Sequence, residues 1–318
     1  MSQSDLALLT LAGSEEYAGR VVRHLECALT PVEERSFEDG EHKVRPLVSV
    51  EGKDAYVIHA LHGDADRSVN DKLCRLLFLI GTLKDHGAER VTAVLPYLCY
   101  ARKDRRTKPY DPVTSRYVAA LFEAVGTDRV VAIEVHNPAA YDNAFRCPAL
   151  HIDTAGLFAR HFASLAKNDA IVVCSPDAGG VKRVELFRLE LERLSGKSID
   201  NAFVEKYRSA GVVTGGALVG GVEGRTVVIL DDLISTGGTL LRAAKACRAR
   251  GARRVFAAAA HGLFIGGATE LFASRDLDGL VIADTVPLPD ILTESRAKLT
   301  ILDSTPLVAD AIAAAAMR

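Results

Sequence analysis

Near residue 230 the chain reads Asp231-Asp232-Leu233-Ile234-Ser235-Thr236-Gly237-Gly238-Thr239. Glycines let a backbone curl until its N–H groups converge on an anion. A helix N-terminus placed next adds unpaired donors and partial positive charge. Thr236 and Thr239 can give hydroxyls to the same anion. Asp231 and Asp232 would repel a phosphate, so they need another partner, and sugar hydroxyls and a magnesium ion are natural ones. The combination specifies a phosphorylated sugar, with phosphate on Ser235 to Thr239 and ribose over the acids. It differs from G-x-x-x-x-G-K-[ST] and from G-x-G-x-x-G, so neither standard nucleotide loop applies.

Other stretches carry charge in chemically useful patterns. Phe37, Asp39 and Glu41 offer a flat apolar face with acceptors beside it, suited to a purine and its ribose. Arg102, Lys103, Arg105, Arg106 and Lys108 crowd cations next to Pro109 and Pro112 without apolar periodicity, which predicts an exposed, mobile loop. Such a loop can close over a triphosphate. Lys206 and Arg208 stand two apart, so on an extended segment they leave the same face. His136 and Asp177 each follow a strand-like run, where ligand sites open in α/β folds.

These residues need elements to hold them. Apolar runs of strand length recur at Ala55 to Ile58, Val91 to Leu95, Val130 to Val135, Ala170 to Cys174, Val227 to Leu230 and Val255 to Ala260, with helical stretches between several of them. That alternation predicts a parallel sheet covered on both faces. The halves also resemble each other: Gly87-Ala88-Glu89-Arg90-Val91 matches Gly251-Ala252-Arg253-Arg254-Val255 at an offset of 164, each glycine ending a helix. The expectation is two tandem domains, 1–150 and 151–318. At the same offset the first copy reads Val69-Asn70-Asp71, without the acid pair or the glycines, so only the second copy should hold a sugar phosphate.

A net charge of −2 gives no general pull toward nucleic acid or an anionic membrane, so neither is an expected partner. No apolar run approaches the roughly 20 residues needed to span a bilayer. The acid in Met1-Ser2-Gln3-Ser4-Asp5 does not suit a signal peptide. Six scattered cysteines without a C-x-x-C pair suggest reduced thiols and a cytoplasmic protein.

At this point the chain resembles the ribose-phosphate pyrophosphokinase (phosphoribosyl pyrophosphate synthetase) family, within the phosphoribosyltransferase fold group. The likeness is carried by Phe37 to Glu41, Val69 to Asp71, Pro96-Tyr97 with Tyr100 to Arg105, His136, Ser175 to Arg183, Glu205 to Arg208 and the loop from Asp231. The resemblance implies an α/β fold of two tandem type I phosphoribosyltransferase-like domains, each a mainly parallel sheet flanked by helices. The first domain would serve ATP and the second ribose 5-phosphate. It implies diphosphoryl transfer from ATP to the C1 hydroxyl of ribose 5-phosphate, releasing AMP, with Mg2+ as cofactor. Phe37, Asp39, Glu41, Arg102, Lys103, Asp104 and His136 would contact ATP. His136 and Asp177 would serve the metal. Lys206, Arg208 and Arg102 would be catalytic, and Arg208, Asp231, Asp232 and Ser235 to Thr239 would hold ribose 5-phosphate. The family also implies a dimer-based homo-oligomer, hexameric in commonly studied members. Lys103, Ser235 and Tyr207 depart from the usual pattern. Two alternatives share the loop: a phosphoribosyltransferase, and a non-enzymatic regulatory relative. The first leaves the duplication, Phe37 to Glu41 and the basic loop unexplained, and the second sits poorly with every candidate catalytic position being filled.

Overall fold

The computed structural model describes residues 5–209, 212–289 and 296–316, with backbone alone over 206–209, over 212–216 and at 296. Two compact units divide the chain. One comprises 1–152, 285–287 and 304–318, and the other 153–284 and 288–303. The segment 304–318, which a contiguous second domain of 151–318 would include, therefore groups with the first unit.

In the first unit, β1 (Leu6–Thr10), β4 (Asp54–Ile58), β5 (Arg90–Leu95), β6 (Arg129–Ile133) and β7 (Ala149–Ile152) form a parallel sheet in that order. Every residue of β4 is buried, as expected for a strand covered on both faces. On one face, α2 (Val69–Asp85) and α3 (Thr114–Ala124) bury Leu76, Leu79, Ile80, Leu83, Val118 and Phe122. On the other, α1 (Glu15–His24) packs with α9 (Thr305–Ala316) through Val21, Val22, Val308 and Ile312. Tyr17 and Ser304 share a hydrogen bond of 2.9 Å beneath them. A hairpin of β2 (Val32–Ser36) and β3 (His42–Pro46) stands apart from the sheet.

The second unit is a larger sheet in the order β10 (Val212–Val219), β9 (Asp200–Ser209), β8 (Ile171–Ser175), β11 (Thr226–Ile234), β12 (Arg254–Gly262), β13 (Gly279–Ala283) and β14 (Leu299–Leu302). All neighbours are parallel except β9 and β10. α7 (Gly238–Ala249) covers one face with α8 (Thr269–Ala273), and α5 (Ala155–Asn168) covers the other with α6 (Val181–Ser195).

The repeated helix–turn–strand corner is the same structure in both units. Gly87 and Gly251 both lie just past a helix end in the left-handed region, at φ 78° and 82°. Each carbonyl accepts an N–H at 2.8 Å, from Gly52 and from Gly224. Asp128 accepts the Val91 N–H at 2.7 Å and Lys84 Nζ at 3.0 Å. Asp278 accepts the Val255 N–H at 2.6 Å and Arg248 Nη2 at 2.5 Å.

On the strand before the helix, however, the offset changes. Asp54 pairs with Arg90 as Thr226 pairs with Arg254, so His59 and Ala60, rather than Val69 to Asp71, continue the first strand where Asp231 and Asp232 continue the second. A longer loop then leads into α2, whose start is closed by a capping box between Ser68 and Asp71. His59 is wholly buried and bonds Ser14 at 3.0 Å, and burial, then the Lys72 charge, pushes its pKa down to about 3. A neutral ring and a capped helix offer a sugar phosphate nothing comparable to the acid pair.

Candidate active site

The acids extend β11 itself. The strand runs through Asp231 and Asp232 to Ile234, farther than the apolar run Val227 to Leu230 suggests. Asp232 is 6% exposed, and its N–H is donated to Asp231 Oδ1 at 2.9 Å. Burial, followed by the Asp232 charge, pushes the Asp231 carboxyl up to about 8. Arg183 opposes that rise, with Nη1 at 3.9 Å from Asp231 Oδ1 and 3.7 Å from Asp232 Oδ1. Arg183 was not singled out as a site residue from the sequence. Its signal was there: Lys182 and Arg183 place two cations in the first turn of α6, where the helix dipole disfavours them and a local anion is needed.

Beyond Ile234, Ser235 and Thr236 turn into Gly237, which is the N-cap of α7 with φ 79°. A Cβ there would lie 2.3 Å from Leu271 Cδ1, so only glycine fits. No side chain caps α7. The first N–H groups of a helix have no partner within it, so this start, with the Ser235, Thr236 and Thr239 hydroxyls nearby in sequence, suits an anion. Thr239 Oγ1 accepts Arg242 Nη2 at 3.2 Å. The Ser235 carbonyl is fixed by the Ile265 N–H at 3.0 Å.

Asp177 closes the turn after β8. Its Oδ1 accepts the Gly179 and Gly180 N–H groups at 2.9 and 3.2 Å, so one carboxylate oxygen caps a short 3₁₀ turn. That turn packs against β11, which brings Asp177, Arg183 and the acid pair to one end of the sheet. Lys206 and Arg208 lie on β9, opposite Gly216 and Val213 of β10. Their backbone is extended, while their side chains, and that of Tyr207, lie outside the described residues.

In the first unit, Phe37, Asp39 and Glu41 form the exposed tip of the β2–β3 hairpin. The Phe37 N–H bonds the Glu41 carbonyl at 2.8 Å, and Asp39 Oδ1 accepts the Glu41 N–H at 3.0 Å. The Arg35 guanidinium lies 5.2 Å from the Phe37 ring centre, and Phe37 is 36% exposed. The basic stretch has more order than its composition suggests. Lys103 Nζ, Thr107 N and Oγ1, and Lys108 N all converge on Asp111 Oδ2 at 2.6 to 3.0 Å. Arg102 is exposed on this folded loop. Asp104 accepts Asn137 Nδ2 at 2.7 Å, tying the loop to the segment of His136, which is also exposed. The strand before it, β6, ends at Ile133, earlier than Val135. Between them lies a cavity of ≈ 20 Å³ lined by Leu98, Val118, Asn137 and Tyr141, room for about one water and not for a base. No hydrogen bond or ion pair joins the hairpin tip to the basic loop among the described residues.

No group of three or more His, Cys, Asp or Glu side chains is arranged to hold a metal by itself among the described residues. All six cysteines are free thiols. Among the described residues no helix is long and apolar enough to cross a membrane.

Comparison with known proteins matches this arrangement. Residues 6–126 match the model of the N-terminal domain of ribose phosphate pyrophosphokinase, and residues 212–316 the phosphoribosyl synthetase-associated domain. A ribose-phosphate pyrophosphokinase of Caldanaerobacter subterraneus is 34% identical over 310 residues, covering 97% of this chain and 94% of its own. Ribose-phosphate pyrophosphokinase 1 of Streptococcus pneumoniae is 35% identical over 91% of this chain and 88% of its own. The crystal structure of phosphoribosylpyrophosphate synthetase from Mycobacterium smegmatis superposes with a TM-score of 0.87 at 32% identity, covering 98% of both chains. With identity spread over both units and one fold throughout, the chain belongs to the ribose-phosphate pyrophosphokinase family.

Proposed function

We propose that the protein transfers the diphosphoryl group of ATP to the C1 hydroxyl of ribose 5-phosphate, forming phosphoribosyl pyrophosphate and AMP. The carrying observation is the start of α7, which no side chain caps, following the half-buried Asp231 and the buried Asp232, an arrangement suited to a phosphate next to sugar hydroxyls. The donor side rests on the exposed aromatic tip at Phe37 and the folded cationic loop around Arg102.

In this reading the 5-phosphate sits on the α7 N-terminus and Ser235 to Thr239, with the ring hydroxyls on Asp231 and Asp232. The C1 oxygen attacks the β-phosphorus in line. The new O–Pβ bond forms as the bond from Pβ to the oxygen it shares with the α-phosphorus breaks, that oxygen leaving on AMP and the hydroxyl proton passing to solvent water. Lys206, Arg208 and Arg102 stabilise charge on the transferring group, which positioning and electrostatics alone can accelerate. Phe37, Asp39 and Glu41 receive the adenosine end, and Lys103, Asp104 and His136 flank the phosphates. Asp177 and His136, each just past a strand of its own unit, are the residues that would serve magnesium, which would neutralise charge on the phosphates. A cytoplasmic location is supported by the six free thiols. A dimer-based homo-oligomer follows from the family resemblance, and sedimentation velocity tests it.

The decisive assay incubates the protein with ATP, magnesium and ribose 5-phosphate and follows AMP. AMP release that depends on the sugar phosphate is the expected result. Its absence across a range of magnesium and phosphate concentrations would sink the assignment.

A further inference from the structure

An isolated two-stranded ribbon is marginal in water, and β2 and β3 pair only with each other among the described residues. The hairpin's inner face explains how it is held. Near its base Val32 and the buried Val44 pack into the core of the first unit. Toward its tip the same face turns polar, with Glu34, Ser36 and His42. The polar half converges on Glu34. Its Oε1 accepts the Ala12 N–H at 2.6 Å, and its Oε2 lies 3.4 Å from Arg67 Nη1 and 3.5 Å from Arg75 Nη1. Arg75, on α2, also donates Nη2 to Ser36 Oγ at 2.9 Å, one residue from Phe37. Arg67 donates to the Ala12 carbonyl at 3.3 Å. The His42 ring stacks on Phe78 of α2 at 5.2 Å and 17°. These charges are largely out of water, with the Glu34 and Arg75 side chains 14% and 9% exposed. A carboxylate and a guanidinium at such burial are costly to separate, and with Arg67, 23% exposed, beside them they form a joint and not surface decoration.

We propose that Glu34, Arg67 and Arg75 form a clamp that positions the hairpin tip, and so set the affinity for the nucleotide donor without touching it. The inference rests on the reading of Phe37, Asp39 and Glu41 as donor contacts. Breaking the clamp leaves the base seated on Val32 and Val44 but frees the tip to swing. Donor binding then has to order the tip as well, while the acceptor site of the second unit is unaffected.

The test uses the full chain with Glu34→Gln, Arg75→Met, Arg75→Lys, Phe37→Ala and the double variant Glu34→Gln/Phe37→Ala. Glu34→Gln and Arg75→Met should raise KM for ATP about tenfold, the scale of ordering one or two side chains on binding. kcat and KM for ribose 5-phosphate should move by less than about twofold, and Arg75→Lys should recover much of the loss. The double variant should be no worse than Phe37→Ala, because both act through one contact. The chain has no tryptophan, so Phe37→Trp supplies a unique reporter at the tip. Adding Glu34→Gln to it should lower its fluorescence anisotropy before any nucleotide is present, a readout independent of turnover. Unchanged anisotropy, or equal losses in kcat and both KM values, overturns the clamp. If Phe37→Ala leaves KM for ATP unchanged while anisotropy still falls, the donor assignment of the tip is wrong and the joint is purely structural. Should Arg75→Met fail to fold, Ser36→Ala removes the Arg75 bond nearest the tip and carries the same expectation in weaker form.

Discussion

Replacing Asp231 by Asn should stabilise the ligand-free protein while weakening its hold on ribose 5-phosphate. In the folded chain burial and the Asp232 charge raise the Asp231 carboxyl from 3.8 to about 8. In the unfolded chain it ionises near 3.8. Folding therefore takes up a proton throughout the interval between those values. An acid with a raised folded pKa loses stability as pH rises from 3.8 toward 8, and the loss is constant beyond that. At pH 7 most of that interval has been crossed, so the ionisable carboxyl costs the folded state on the order of 1 kcal/mol or more. An amide of the same shape can still accept the Asp232 N–H through its oxygen and has nothing to titrate. Arg183 then faces an amide in place of the Asp231 carboxyl, which offsets part of the gain. The expected net effect is added stability on the order of 1 kcal/mol at pH 7, shrinking to near zero by pH 4. Urea denaturation with EDTA across pH 4 to 8.5 measures it. Calorimetric titration with ribose 5-phosphate at pH 8.5, where Asp231 is ionised, should show affinity lower by tenfold or more, as expected for a lost charged hydrogen bond worth about 1.5–3 kcal/mol. A variant that is less stable at pH 7, or whose advantage does not vary with pH, would refute the argument.

Three other substitutions probe separate parts of the site. Gly237→Ala forces a Cβ against Leu271 at a left-handed φ, so it should cost about 1–3 kcal/mol in chemical denaturation and weaken ribose 5-phosphate binding. Asp111→Asn removes the acceptor at the centre of the basic loop, and limited trypsin digestion should then cut faster after Arg102, Arg105 and Arg106. The Lys103 hydrogen bond leads the interactions holding the Asp111 carboxyl well below the usual range, so the wild-type loop should keep its protection down to at least pH 4 and lose it only as pH falls through that lowered value. Lys206→Ala should lower kcat by more than about a hundredfold with little change in either KM, because its charge acts mainly in the transition state; a defect confined to KM would contradict that role.

The alternation of strands and helices was plain in the sequence because β4 and most of β11 are apolar on both faces and leave no other place to go. The glycine-ended corner was legible for a related reason, since its geometry is local and repeats at one offset. Where β11 stops was not, because its last turns carry two acids, and charge inside a sheet goes against the pattern that marks strands. The loop's own residues declared an anion site, yet its counter-cation Arg183 comes from another helix and shows only as a cation misplaced on a helix start. Lys103 and Asp111 look like unrelated loop charges until the chain folds between them. Glu34 is the extreme case: a glutamate on a short hairpin strand reads as solvent-facing, and only Arg67 and Arg75, reached through a loop and a helix, reveal that it points inward.

The return of α9 to the first unit has a consequence for biosynthesis. Val21 and Val22 of α1 lie beneath a cover supplied by residues such as Val308 and Ile312, made nearly three hundred residues later. A growing chain can assemble the second sheet as soon as β14 emerges, but the first sheet keeps one flank open until residues 305–316 have been synthesised. The half that is translated first is thus the half that matures last, and the intervening exposure of that flank is the interval in which a chaperone would have most to hold.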